Sequence, residues 1–104
     1  TMFNVITNEA AVSELTDLPD ELRGRMFRLI ERLSETGQLK MPHSRVIGGG
    51  IFELRVGDKN IARTLYAYAA GHNIYLLHSF IKKTEKTPSA AIELARKRLK
   101  EMIE

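Results

Sequence analysis

Ile51-Phe52-Glu53-Leu54-Arg55-Val56, then Gly57-Asp58-Lys59-Asn60, then Ile61-Ala62-Arg63-Thr64-Leu65-Tyr66-Ala67-Tyr68-Ala69, and beyond Ala70-Gly71-His72-Asn73 the run Ile74-Tyr75-Leu76-Leu77-His78-Ser79-Phe80-Ile81, form the stretch that decides the fold. Phe52, Leu54 and Val56 alternate with Glu53 and Arg55, the period of two that sends successive side chains to opposite faces of a strand. Gly57-Asp58-Lys59-Asn60 has hairpin-turn chemistry, so residues 61–69 read as a second strand. Ala70-Gly71-His72-Asn73 turns the chain again. Residues 74–81 are almost continuously apolar, as expected of a strand buried on both faces at the centre of a sheet.

Outward from these strands the pattern becomes helical. Downstream, Thr87 can cap a helix and Pro88 suits its first turn, while Ile92, Ala95, Leu99, Met102 and Ile103 mark a buried stripe. Upstream, residues 38–50 hold Pro42, His43, Ser44 and the triplet Gly48-Gly49-Gly50 without periodicity, and read as a loop. The triplet is not a phosphate loop, because no Lys-Ser or Lys-Thr follows it and the next element alternates as a strand; it reads as a flexible turn. Residues 19–36 keep a 3.6 period through Leu22, Met26, Leu29, Ile30 and Leu33, with Gly37 as the stop. A short helix over 8–18 carries Ala11, Val12, Leu15 and Leu18, capped by Asn8 and ended by Pro19, which restricts Leu18 to extended backbone. Phe3-Asn4-Val5-Ile6-Thr7 reads as a first strand. The expected order is β-α-α-β-β-β-α. This is an α+β class, with a small antiparallel-rich sheet packed by an N-terminal helical pair and a C-terminal helix.

The 104 residues suit one domain, 1–104, with one modest core. No cysteine is present, which excludes disulfides, zinc ribbons and thiol nucleophiles. No apolar run approaches the roughly 18 residues of a membrane span. The start lacks a secretory-signal pattern, so a cytoplasmic location without a membrane partner is expected. Net charge is +3, but unevenly spread. Residues 1–39 carry four Arg against seven Asp and Glu, a balance of −3, and residues 40–104 carry twelve Lys and Arg against six, a balance of +6. A polyanion is therefore expected to meet the second part.

His43, His72 and His78 fall in a loop, a turn and a strand without the helical i, i+4 pairing of a zinc protease, so no metal site is expected. No serine sits in a nucleophile elbow. His78, between Leu77 and Ser79, reads first as a core imidazole and second as a general base. Lys82, Lys83 and Lys86 leave the last strand together, just before a helix whose N-terminus favours anions. A two-residue Gly71-His72 turn places Arg63 opposite Phe80 and Ile61 opposite Lys82, making Arg63 and Lys82 diagonal neighbours on one face. Two like charges so placed favour an anion between them. Arg55 stays open: a four-residue turn at 57–60 pairs it with Ala62, a three-residue turn at 58–60 with Arg63.

Glu53-Leu54-Arg55, Arg63 with Tyr66, Leu76-Leu77-His78-Ser79-Phe80-Ile81-Lys82-Lys83-Thr84 and Lys86-Thr87-Pro88 resemble the phage-derived HigB branch of the RelE/ParE toxin superfamily, most specifically over residues 50–100. The resemblance implies a type II toxin: a ribosome-dependent, metal-independent messenger-RNA endonuclease without cofactors. It also implies neutralisation by a cognate antitoxin of the helix-turn-helix, HigA-like kind. Carried onto this chain, Arg63 fits the strand arginine, Lys82 and Lys83 the basic pair, and Lys86 the next lysine. Arg63 and Lys83 would then clamp the phosphate while Lys82 or Lys86 serves as base. Arg55, Tyr66 and Phe80 are the expected RNA contacts, with Phe80 also a core candidate. A ParE-like gyrase inhibitor and a non-catalytic nucleic-acid-binding module are the rival readings.

Overall fold

The computed structural model describes residues 2–103; Thr1 and Glu104, the ends of the expected 1–104 domain, lie outside the described residues. The chain runs β1 (Asn4–Thr7), α1 (Glu9–Thr16), α2 (Asp20–Thr36), β2 (Ser44–Gly48), β3 (Ile51–Val56), β4 (Ile61–Ala69), β5 (Asn73–Lys82) and α3 (Ser89–Ile103). The five strands form one mixed sheet in the order β1-β5-β4-β3-β2, with β1 parallel to β5 and the other neighbours antiparallel. The α+β class holds. The element order gains a strand, because Ser44–Gly48, inside the expected loop, pairs with β3. Val46 on this edge strand is 70% exposed, so β2 lacks the buried alternating face by which a strand is recognised. Gly48, Gly49 and Gly50 all take positive φ and close the β2–β3 hairpin, a conformation that L side chains rarely adopt.

Local chemistry sets the start of α1 and the end of α2 as expected. The Asn8 side chain accepts hydrogen bonds from the amides of Ala10 and Ala11 at the start of α1. Gly37 adopts the left-handed conformation after α2, its N–H donating to Leu33 O. The sheet is covered on both faces. Leu15, Leu18, Met26, Leu29, Ile30 and Leu33 of the α1–α2 side pack on Leu54, Val56, Ala62, Tyr66, Ile74 and Leu76. Ala91 and Ala95 of α3 pack on Ile51, Leu65, Ala67 and Leu77 from the other side. The central strand is β4 rather than β5; it is buried from Ile61 to Ala67, whereas Tyr75, His78, Phe80 and Ile81 of β5 are only partly covered.

Candidate functional site: an arginine row under a strap

Register brings the basic residues together on the α3 face. Arg63 stands opposite Phe80 and Ile61 opposite Lys82, so Arg63 and Lys82 are the expected diagonal pair. The route to that register differs from the expected one. Ala69 pairs with Asn73 around a three-residue turn, and a bulge that leaves Leu77 unpaired restores the alignment one strand-half later. Arg55 pairs with Arg63, the outcome of the shorter turn, and Arg45 pairs with Glu53. Side chains directly across a ladder share a face, so Arg45, Glu53, Arg55 and Arg63 form one cluster.

Glu53 is its hub. This carboxylate is fully buried, yet it accepts from Arg45 Nε at 2.9 Å and from the Thr87 hydroxyl at 2.6 Å. Arg55 Nε lies 3.4 Å from Glu53 Oε1 and Arg63 Nη1 lies 3.9 Å from Oε2, distances of ion pairs without hydrogen-bond geometry. One carboxylate thus faces three guanidinium groups. Arg63 is 0% exposed, and none of its three side-chain nitrogens has a hydrogen-bond partner among the described residues; Arg55 Nε has none either. Burial pulls the Arg63 guanidinium below the usual arginine range, Glu53 pulls it back, and Arg55 and Arg45 push it down again. A buried donor left unpaired costs about 1–3 kcal/mol, more when charged. Such an arrangement is matched to an added anion with several acceptor oxygens, as a phosphate has.

The segment between β5 and α3 straps this row. Arg45 Nη2 donates to Glu85 O at 2.8 Å and to Thr87 Oγ1 at 3.0 Å, and Arg55 Nη2 donates to the Glu85 carboxylate at 3.2 Å. Thr87 therefore does not cap α3 as expected; its hydroxyl ties the strap to Glu53 and Arg45. Glu85 borders two clefts. One, of about 440 Å³, is walled by Arg25, His43, Arg55 and Asp58; the other, of about 460 Å³, by Arg45, Ile47, Lys86 and Thr87. Lys82, Lys83 and Lys86 are exposed around the strap and form no ion pair among the described residues. Among the described residues no three His, Cys, Asp or Glu side chains converge as metal ligands.

Of the expected RNA contacts, Tyr66 sits elsewhere. Tyr66 is on the opposite face, 1% exposed, bonded to Ser44 Oγ at 2.6 Å and stacked on Phe52, so its ring is sealed in the helical core and offers no face to a base. Burial pushes its phenol up to about 12. Phe80 shares the Arg63 face but is partly buried and stacks on His78. His78 belongs to a separate node: Glu14 Oε1 lies 2.9 Å from its Nδ1, 2.8 Å from Arg98 Nη1 and 3.1 Å from Ser79 N. Arg98 also donates to the carbonyl of the bulged Leu77, which ties α3 to α1 across β5. Sequence reading missed Arg45 and the roles of Glu53, Glu85 and Thr87. The mirror of β-branched residues about the glycine triplet, Val46-Ile47 before and Ile51 after, was the signal for the hairpin that delivers Arg45.

The fold is that of known toxins. RelE of Escherichia coli, solved free as a double arginine-to-alanine mutant, superposes with TM-score 0.71 over 95% of this chain and 99% of its own at 14% identity. A chain of the RelBE2 toxin–antitoxin complex of Mycobacterium tuberculosis matches with TM-score 0.60 over 79% of this chain and 100% of its own at 18% identity. No curated protein matches this chain. Residues 13–100 match the family model described as phage derived protein Gp49-like (DUF891), a span that includes β2 to β5 and the arginine row. The chain belongs to the phage-derived Gp49-like family and carries the RelE toxin fold.

Proposed function

We propose that this chain is the toxin of a type II toxin–antitoxin pair, of the HigB-like kind, and acts as a ribosome-dependent messenger-RNA endonuclease. The observation that carries the reading is Arg63: a permanent cation at 0% exposure with every side-chain nitrogen unpartnered among the described residues, beside Arg55 and Arg45. A purely structural arginine would have its donors satisfied. In the reaction the ribose 2′-oxygen attacks the adjacent phosphorus, the O2′–P bond forms and the P–O5′ bond breaks. The products are a 2′,3′-cyclic phosphate and a 5′-hydroxyl. Arg63 and Lys83 hold the non-bridging oxygens as charge develops there, Lys82 or Lys86 takes the 2′-hydroxyl proton, and the departing 5′-oxygen takes up a proton from water to become the 5′-hydroxyl. Positioning on the ribosome supplies part of the barrier lowering. The partners are messenger RNA on the ribosome and a cognate antitoxin of the helix-turn-helix, HigA-like kind, in the cytoplasm.

Transcript-end mapping after brief induction tests this. New 5′ ends inside coding regions are expected with the wild-type chain and none with Arg63→Ala. DNA-damage signalling without new transcript ends would replace the reading with gyrase inhibition.

A further inference from the structure

Helix α2 carries Arg25, Arg28 and Arg32 at i, i+3 and i+7, which places them on one stripe about 10 Å long. Like charges so spaced destabilise a helix unless something offsets them. Little in the chain does. Arg25 has only Glu21, at 4.0 Å, and the Arg28 and Arg32 guanidinium groups make no ion pair or hydrogen bond among the described residues. By contrast Arg23, off this stripe, is paired with Asp20 and also donates to the carbonyls of Thr16 and Leu18. The stripe walls a groove of about 230 Å³ together with His43 and Arg55. Arg25, His43 and Arg55 are also walls of the 440 Å³ cleft beside Glu85, so the two cavities adjoin. A line of cations thus leads from Arg32 to Arg55, whose buried Nε is unpartnered among the described residues, and on into the arginine row.

We propose that this groove between α2 and the β2–β3 hairpin is a second nucleic-acid site, which holds the backbone of a single RNA strand as it leaves the arginine row. The inference rests on the reading of that row as an RNA-cleaving site and adds the path of the strand outside it. Its occupant is a chain of phosphates: the groove offers guanidinium charges in file, with no Phe, Tyr or Trp among its walls and His43 as its one ring, and so grips chiefly a backbone. The stripe's length spans about two phosphates of an extended strand.

Salt dependence of binding tests the proposal. The probe is a 12-nucleotide RNA with 2′-O-methyl groups throughout, which cannot be cut by its own 2′-oxygen. Affinity is measured between low and moderate salt for the wild-type chain and for Arg28→Gln with Arg32→Gln. Removal of two phosphate contacts is expected to make the slope of log K against log salt shallower by about 1.4, at about 0.7 per phosphate of a single strand. Glutamine preserves helix propensity, and circular-dichroism melting confirms that the variant is folded. An unchanged slope in the folded variant, or no binding of the probe by the wild-type chain, overturns the proposal. The nuclease reading fails separately, by the absence of new transcript ends, whatever the slope.

Discussion

Arg63 Nη1 lies 3.9 Å from Glu53 Oε2, and both side chains are fully shut off from solvent. The pair is too long for a hydrogen bond and too buried for water to compensate, so the two charges hold each other only through Coulomb attraction. Stability and function are set against each other at this contact. Arg63→Met is expected to raise the melting temperature, since an apolar side chain replaces a buried cation whose donors are unpartnered among the described residues, while Glu53 keeps its bonds from Arg45 and Thr87. The same variant should lower cleavage by about 10²–10³-fold, the usual loss for one electrostatic clamp. A variant that melts lower and still cuts would show that the guanidinium is structural.

Glu53→Gln should act in the opposite sense on stability. It leaves Arg45, Arg55 and Arg63 facing one another without the carboxylate that neutralises them, a loss of roughly 3–5 kcal/mol for breaking a buried pair on one side. Urea denaturation at neutral pH reads the change. A shift below about 1 kcal/mol would mean that Glu53 carries little of the net attraction.

Glu85 occupies one donor of Arg55 from a side chain that is 84% exposed. A phosphate arriving at the row must compete with it. Glu85→Gln is expected to tighten binding of short uncleavable RNA by about two- to fivefold, the range of an exposed ion pair. The gain should shrink at high salt, where such pairs are screened. Equal affinities at low salt would remove Glu85 from the site.

Glu14 makes the fold sensitive to acid. Desolvation tends to raise its carboxyl, but hydrogen bonds from Arg98, His78 and the Ser79 amide outweigh that and hold it below its ordinary value of 4.5. A depressed carboxylate contributes stability that is present above the unfolded value and is lost as pH falls through the folded one. Thermal melts below pH 4.5 should therefore drop more steeply for the wild-type chain than for Glu14→Gln. Parallel curves would refute the coupling.

Tyr66 has the reverse sense at the alkaline end. Burial pushes its phenol up to about 12, so the folded state keeps a proton that the unfolded chain releases, and stability falls as pH rises past 10. Tyr66→Phe should flatten that decline and cost about 1 kcal/mol through the lost bond to Ser44. Because the ring lies on the helical face, cleavage should persist; loss of cleavage in a folded Tyr66→Phe protein would return the residue to the RNA site.

Much of this fold is written locally. Strand period, the Asn8 cap and the Gly37 stop depend on neighbours a few residues apart, and they are legible in the chain for that reason. β2 was not, because an edge strand with Val46 in solvent has no buried face to alternate against. A two-residue turn predicts the Arg63–Phe80 alignment, whereas a longer turn and a compensating bulge produce it, so the agreement at Arg63 conceals two departures that cancel.

The residues alone mark four of the five strands and the three helices, and set Arg63, Lys82 and Lys83 near one end of adjoining strands. Contacts between distant segments bring Arg45 and Arg55 to Arg63 around Glu53, tie the strap down through Thr87 and bury Tyr66 in the core. The reason is range. Propensity and periodicity act through the chain's own backbone, but charge and burial act through space, and Arg45 meets Glu85 and Thr87 only because the folded sheet carries distant segments to the same place.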